Sequence, residues 1–312
     1  MRCRVWIGVL MCALALTACK STDNGANLEA TDSPITFRVG TTTVTIQDFQ
    51  DRMEREIGAA LQQSLAQGQT EEEIIQLVDQ QDVRRAIFET MIQEALLLQI
   101  ARQEGIGVDP KEIDANIDRQ QGFGALDDRT ESADDRLEQR VGVAREQLVF
   151  AVIARKTLAD MVKARHILVA DEATADQIIT DLNNGTSFAE LASEFSTDPG
   201  SQNNGGELGW TPRGNFVPEF EEAAFSADLN TPIKVGSQFG WHVIEVQDRQ
   251  SDRPFDDFNQ LQGSQNGQQF FEDTFLPWYE GLRETAEANG DLEISPNFDP
   301  NSVPLPFRTT NP

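Results

Sequence analysis

The chain has 312 residues, with 25 Lys and Arg against 52 Asp and Glu, for a net charge of −27. That balance argues against nucleic acid as a partner, because phosphate binding needs clustered Lys and Arg, and it disfavours tight docking on anionic lipid. The three cysteines, Cys3, Cys12 and Cys19, all lie at the N-terminus, so the body of the chain has no disulfide, no thiol nucleophile and no cysteine zinc site. With two histidines in all, no metal and no cofactor is expected.

Residues 1–19 read as a targeting segment. Arg2 and Arg4 form a positive start, and Val5 to Leu16 is an apolar stretch too short for an ordinary membrane-spanning helix. It ends in Leu16-Thr17-Ala18-Cys19, which resembles a bacterial lipobox. That resemblance implies lipidation of Cys19, a membrane attachment through that lipid and an extracytoplasmic location; a plain cleaved secretory signal is the alternative. Loss of residues 1–18 removes two arginines and no acids, taking the charge near −29. Residues 20–33 are polar, as a flexible tether would be.

Residues 34–162 read as a mostly helical module. Ile35–Val39 and Thr42–Val44 around Gly40 suggest a short strand pair. Thr45 with Asp48 looks like a helix cap, and Ile46, Phe49, Met53, Ile57, Leu61 and Leu65 follow the helical period. Thr70 with Glu73 opens a second helix. Val83, Ile87, Met91, Ala95 and Leu98 stripe a long third one, Asp109-Pro110 starts a short fourth, and Gly122 to Asp135 is Gly- and Asp-rich and expected to be mobile. Leu137, Val141, Ala144, Leu148 and Val152 mark a further helix running towards Met161. No acid, base or nucleophile constellation stands out in this module. Beyond residue 249, Phe270, Phe271, Phe275, Trp278 and Tyr279 suggest a C-terminal helix docking on the N-terminal module, followed by an extended tail; an exposed client surface is the alternative for these aromatics.

From Lys163 the pattern changes to alternating strands and short helices. Both histidines fall here, His166 in Ala164–Val169 and His242 in Gly240–Val246, suggesting a domain whose first and last strands lie side by side. Between them come a helix over Thr174–Asn184, a capping box at Ser187/Glu190 opening a helix through Phe195, Ser196-Thr197-Asp198, and Gly205-Gly206-Glu207-Leu208-Gly209-Trp210. Gly214 to Phe220 then leads into a short helix, and Ile233–Val235 turns through Ser237–Gly240 into the second histidine strand.

Residues 163–249, with these motifs in this order, resemble a parvulin-type peptidyl-prolyl cis/trans isomerase domain. The whole layout resembles the extracytoplasmic foldase chaperones of the PrsA and SurA kind. The resemblance implies an α+β fold: a four-stranded antiparallel sheet with surrounding helices and the two histidine strands as central neighbours. It implies a site of His166, Asp198, Ser237 and His242, with Leu208, Phe216, Phe220 and Trp241 receiving the proline. It also implies clients that are unfolded or partly folded exported proteins containing X-Pro bonds; a homodimer through the helical module is left open.

No nucleophile is required for such a reaction, because an X-Pro bond only twists across its barrier of about 18–20 kcal/mol. Two imidazoles share one hydrogen bond only in complementary tautomers, so the pair is expected to do structural electrostatics, with Asp198 and Ser237 fixing the arrangement. No Lys or Arg occurs between Arg165 and Arg213, where Asp171, Glu172, Asp176 and Asp181 stand instead; phosphoserine-proline specificity is not expected. The competing reading is a holdase chaperone whose parvulin domain is a catalytically silent client-binding module.

Overall fold

The computed structural model describes residues 34–122 and 133–307. Cys19 with its targeting segment, the tether, and most of the Gly- and Asp-rich stretch lie outside the described residues. No helix among the described residues is long and apolar enough to cross a membrane. The chain divides into two compact units: one made of residues up to Val152 together with those from Glu280 onward, the other of Ile153–Tyr279.

The first unit opens with a hairpin of β1 (Ile35–Val39) and β2 (Thr42–Thr45), which β7 (Leu292–Ile294) extends to a three-stranded antiparallel sheet in the order β2-β1-β7. Helices α1 (Ile46–Ala66), α2 (Glu71–Gln80), α3 (Val83–Gln103) and α4 (Pro110–Gly122) follow, and α5 (Ala133–Lys156) begins in this unit. The capping boxes read from sequence form at Thr45/Asp48 and Thr70/Glu73. Each satisfies backbone N–H groups that a helix start leaves unpaired. Phe37, Phe49 and Phe88 meet edge-on at 5.4 and 5.8 Å and Phe298 joins them, with Ile92, Leu96 and Leu97 buried behind. The C-terminal helix of the chain, α11 (Leu276–Asn289), holds this unit through Arg283, whose guanidinium lies 2.5 Å from Glu89 on α3.

The second unit is built on a four-stranded antiparallel sheet in the order β4 (Glu207–Pro212), β3 (Leu158–Val169), β6 (Gly240–Pro254), β5 (Ile233–Ser237). The two histidine strands are thus central neighbours, as the resemblance implied, with His166 opposite Ile244 and Leu168 opposite His242. Strand β3 begins at Leu158, where the helical period had suggested a helix running to Met161. The apolar run Leu158–Val162 suits either state, and pairing of Leu158 with Pro254 and Val162 with Arg249 decides for the strand.

Side chains alternate across this sheet. Ile167, Val169 and Val243 face α6 (Glu172–Asn183) and α7 (Phe188–Phe195) on one side; Val162, Ile244 and Val246 face α8 (Pro218–Ser226) on the other. Helix α6 begins earlier than the sequence suggested because Asp171 caps it, accepting from the Thr174 backbone. Helix α8 is anchored at its C-terminal end by Arg249, which donates to the carbonyls of Ala224 and Ala227 at 3.0 and 2.8 Å. A cation at that end satisfies carbonyls the helix leaves open. Past β6, α9 (Phe258–Gly263), α10 (Gly267–Phe270) and a π turn over Phe271–Phe275 lead into α11, burying Phe255, Phe275 and Tyr279.

Candidate active site

His166 and His242 project from the α8 side of adjacent strands, with only 7% and 5% of their surfaces exposed. Their Nδ1 atoms lie 3.2 Å apart and the rings are nearly parallel, at 16°. His166 Nε2 is 2.9 Å from Asp198 Oδ2, and His242 Nε2 is 2.7 Å from Ser237 Oγ. The four residues therefore form one connected chain: Asp198, His166, His242, Ser237.

The proton positions follow from the acceptor at one end. Burial opposes ionisation of Asp198, but hydrogen bonds from Ser201 and then His166 outweigh it and bring its carboxyl down to about 2. An ionised carboxylate only accepts, so His166 Nε2 carries a hydrogen and donates to it. With that hydrogen on Nε2, His166 can accept at Nδ1 from the Nδ1–H of His242, 3.2 Å away. Neutral His242 in turn accepts at Nε2 from the Ser237 hydroxyl, whose oxygen also accepts the backbone N–H of Phe239 at 3.1 Å. Every polar atom of the series then has a partner. Burial pushes His242 down to about 4, with His166 reinforcing the effect and Asp198 and Glu219 opposing it.

This depression fixes a pH dependence. In the unfolded chain His242 titrates near ~6.5, so between that pH and about 4 the unfolded state binds the extra proton. Stability rises with pH wherever the unfolded state binds more protons. The contribution is fully present above the unfolded value and is lost as pH falls towards the folded one. Going from pH 7 to 5, where ordinary carboxylates stay ionised, should remove about 1–2 kcal/mol from this unit. Urea midpoints at the two pH values measure it; the same loss in His242→Gln would reject His242 as its source.

Backbone contacts hold the series in place. Ser196 Oγ accepts from Leu168 N and Asp198 N at 3.2 and 3.3 Å, and Thr197 N donates to Leu168 O at 2.8 Å. The loop with Asp198 is thereby stitched to the strand with His166. Ser201 donates to Asp198 Oδ2, and Gly200 N to Oδ1 at 3.2 Å. Gly206, at φ +79°, lies against the strand and accepts from His166 N at 2.9 Å.

Phe220 presses edge-on against both imidazoles, with centroids at 5.6 and 5.3 Å, and the Phe216 ring lies tilted against it at 4.5 Å. Leu208 packs into the same apolar cluster. Trp241 is not brought to this cluster. It precedes His242 on β6 and so faces the other side of the sheet, packing near Ile167, Val169 and Val243. Sequence reasoning missed Ser196, Ser201 and Gly206. Ser201, three residues after Asp198 in a turn-rich stretch, was the one with a readable signal.

Residues 148–250 match the family described as PPIC-type PPIase domain, and residues 2–141 match SurA-like N-terminal domain. The chain carries a PPIC-type PPIase domain behind a SurA-like N-terminal domain. A foldase protein PrsA of Caldanaerobacter subterraneus is 34% identical over 186 residues, 56% of this chain and 60% of that relative; the match thus covers less than two thirds of the relative's length. Foldase protein PrsA 3 of Bacillus cereus is 27% identical over 94% of each chain. Among solved structures, the parvulin of Nitrosopumilus maritimus is 36% identical, covering 28% of this chain and 96% of that chain with a TM-score of 0.27. His166, Asp198, Ser237 and His242 all lie within the residues matched to the PPIase domain.

Proposed function

We propose that the protein is a peptidyl-prolyl cis/trans isomerase and foldase. It assists exported proteins by isomerising X-Pro bonds, without phosphate specificity, outside the cytoplasm and held to the membrane by a lipid on Cys19. The observation that carries the reading is the connected Asp198–His166–His242–Ser237 hydrogen-bond series lying against the apolar cluster of Leu208, Phe216 and Phe220. The N-terminal Arg2, Arg4 and Val5–Cys19 pattern supports export and anchoring.

The chemistry asks for no nucleophile and no proton loss. A planar amide is charge-separated and favoured by polar surroundings, whereas the twisted amide has lost that resonance. A pocket that grips the proline ring in apolar surroundings while the preceding carbonyl turns therefore favours the twisted state over both planar ones. Each ~1.4 kcal/mol of that preference is about tenfold in rate. A His242 held neutral by burial suits this task, because a cation beneath the pocket would restore polarity. Phe220, touching both rings, couples the shape of the pocket to the hydrogen-bond series.

The test is isomerisation of an Ala-Pro peptide by the whole chain, followed by NMR exchange, with Asp198→Ala as control. Acceleration that the variant loses supports the reading. A well-folded protein without acceleration would turn the function to client holding and the histidine pair to a structural part.

A further inference from the structure

The carboxylates around the histidine series have different fates. Asp171 caps α6, accepting from Thr174 N and Oγ1 at 3.0 and 2.9 Å. Glu172 and Asp176 both bind Lys234. Glu245 binds Arg165 at 2.7 Å, and Glu221 accepts the Gly214 N–H at 2.6 Å. Glu219 is different: it has no hydrogen bond or ion pair among the described residues, and it lines an open concavity of about 610 Å³ together with Ser237, Phe239 and Trp241. No basic side chain lines that concavity among the described residues.

Phe239 is 62% exposed, the highest value of any large apolar side chain among the described residues. Its backbone is fixed to Ser237 at the tip of the β5–β6 hairpin. On the same hairpin the Lys234 ammonium rests 5.2 Å from the centre of the Trp241 ring, so a cation already uses one aromatic surface here while Glu172 and Asp176 neutralise it. An exposed aromatic beside an uncompensated carboxylate suits a long cationic side chain, whose stem covers the ring while its charge meets the carboxylate.

We propose that Glu219, Phe239 and Trp241 form a subsite for a Lys or Arg side chain flanking the client's proline. The proposal rests on the isomerase reading and supplies its substrate class. Glu219 also stands in the first turn of α8, where a carboxylate suits the helix dipole. That service is indifferent to the charge of a client, so client-charge preference separates the two.

The test uses the whole chain with the peptides Ala-Lys-Pro-Lys-Ala and Ala-Glu-Pro-Glu-Ala, reading affinity by NMR titration and isomerisation by NMR exchange. The lysine peptide is expected to bind about five- to tenfold more tightly at low salt, the sum of a partly exposed ion pair and a cation–π contact. Glu219→Gln should bring the ratio near one, and Glu219→Lys should invert it. Glu222→Gln removes the same charge from the same helix outside the concavity and should keep the ratio. Equal effects of Glu219→Gln and Glu222→Gln would reduce the preference to the diffuse field of an acidic protein and overturn the subsite, as would a ratio unmoved by Glu219→Gln. Isomerisation without charge preference rejects the subsite and leaves the isomerase reading standing. A lysine preference in binding that Glu219→Gln abolishes, without isomerisation, supports the subsite and rejects the isomerase reading.

Discussion

Gly206→Ala is expected to destabilise the unit Ile153–Tyr279 by about 3 kcal/mol or more, whereas Gly209→Ala, three residues on and within β4, should cost about 1 kcal/mol. Both glycines sit at positive φ, +79° and +68°, so both substitutions carry the penalty of a left-handed alanine. Only at Gly206 would the new methyl also collide with the His166 carbonyl oxygen, with the Phe188 ring 3.1 Å away; at Gly209 nothing lies within 4 Å. The obstacle at Gly206 is backbone in a central strand, which cannot swing aside as the end of a side chain can. Because Gly206 also accepts from His166 N, the displacement would reach the histidine itself. Urea unfolding of the pair of variants measures the difference. Equal losses would mean the strand yields at little cost and the close approach is not a constraint.

Asp198→Ala should lower stability by about 1–3 kcal/mol, the penalty for a buried donor left without its acceptor, and slow isomerisation by about tenfold or more. The carboxylate is the only member of the series that cannot donate, so it sets the direction of every hydrogen bond up to Ser237. Without it His166 is free to take its other tautomer, which turns its Nδ1–H against the Nδ1–H of His242 unless His242 switches with it. Asp198→Asn keeps an oxygen for His166 and should retain part of both effects. The imidazole ¹⁵N shifts report the tautomers directly. If Asp198→Ala left both tautomers and the rate as they are, the direction would come from elsewhere and Asp198 would be only a loop tie.

Much of this arrangement is legible in the sequence because it is local. The capping boxes at Thr45, Thr70 and Ser187 are spelled within four residues, and each forms. The histidine strands are marked by apolar runs, and their adjacency follows from closing a small sheet. What is not legible depends on partners far along the chain. Leu292–Ile294 is three residues of ordinary character that become a strand because Phe37, Arg38 and Val39 offer an open edge. Leu158 is a strand residue because Pro254 lies opposite. A strand's period of two puts neighbours on opposite faces, so Trp241 packs by Ile167, Val169 and Val243 and not with Leu208, Phe216 and Phe220. Ser196 bears no mark of its work, since a serine in a turn-rich loop has many local uses.

The division of the chain into units also sets an order of birth. The unit spanning Ile153–Tyr279 is one uninterrupted stretch, so a ribosome has delivered all of it once Tyr279 emerges. The other unit needs both ends of the chain: its third strand and the Arg283 tie to Glu89 arrive only afterwards. Domains fold as their sequence becomes available. The unit Ile153–Tyr279 is therefore finished first, and the unit that needs both ends is the last to close. A polypeptide truncated just after Tyr279 would keep the histidine series and lose the sheet edge that completes its partner.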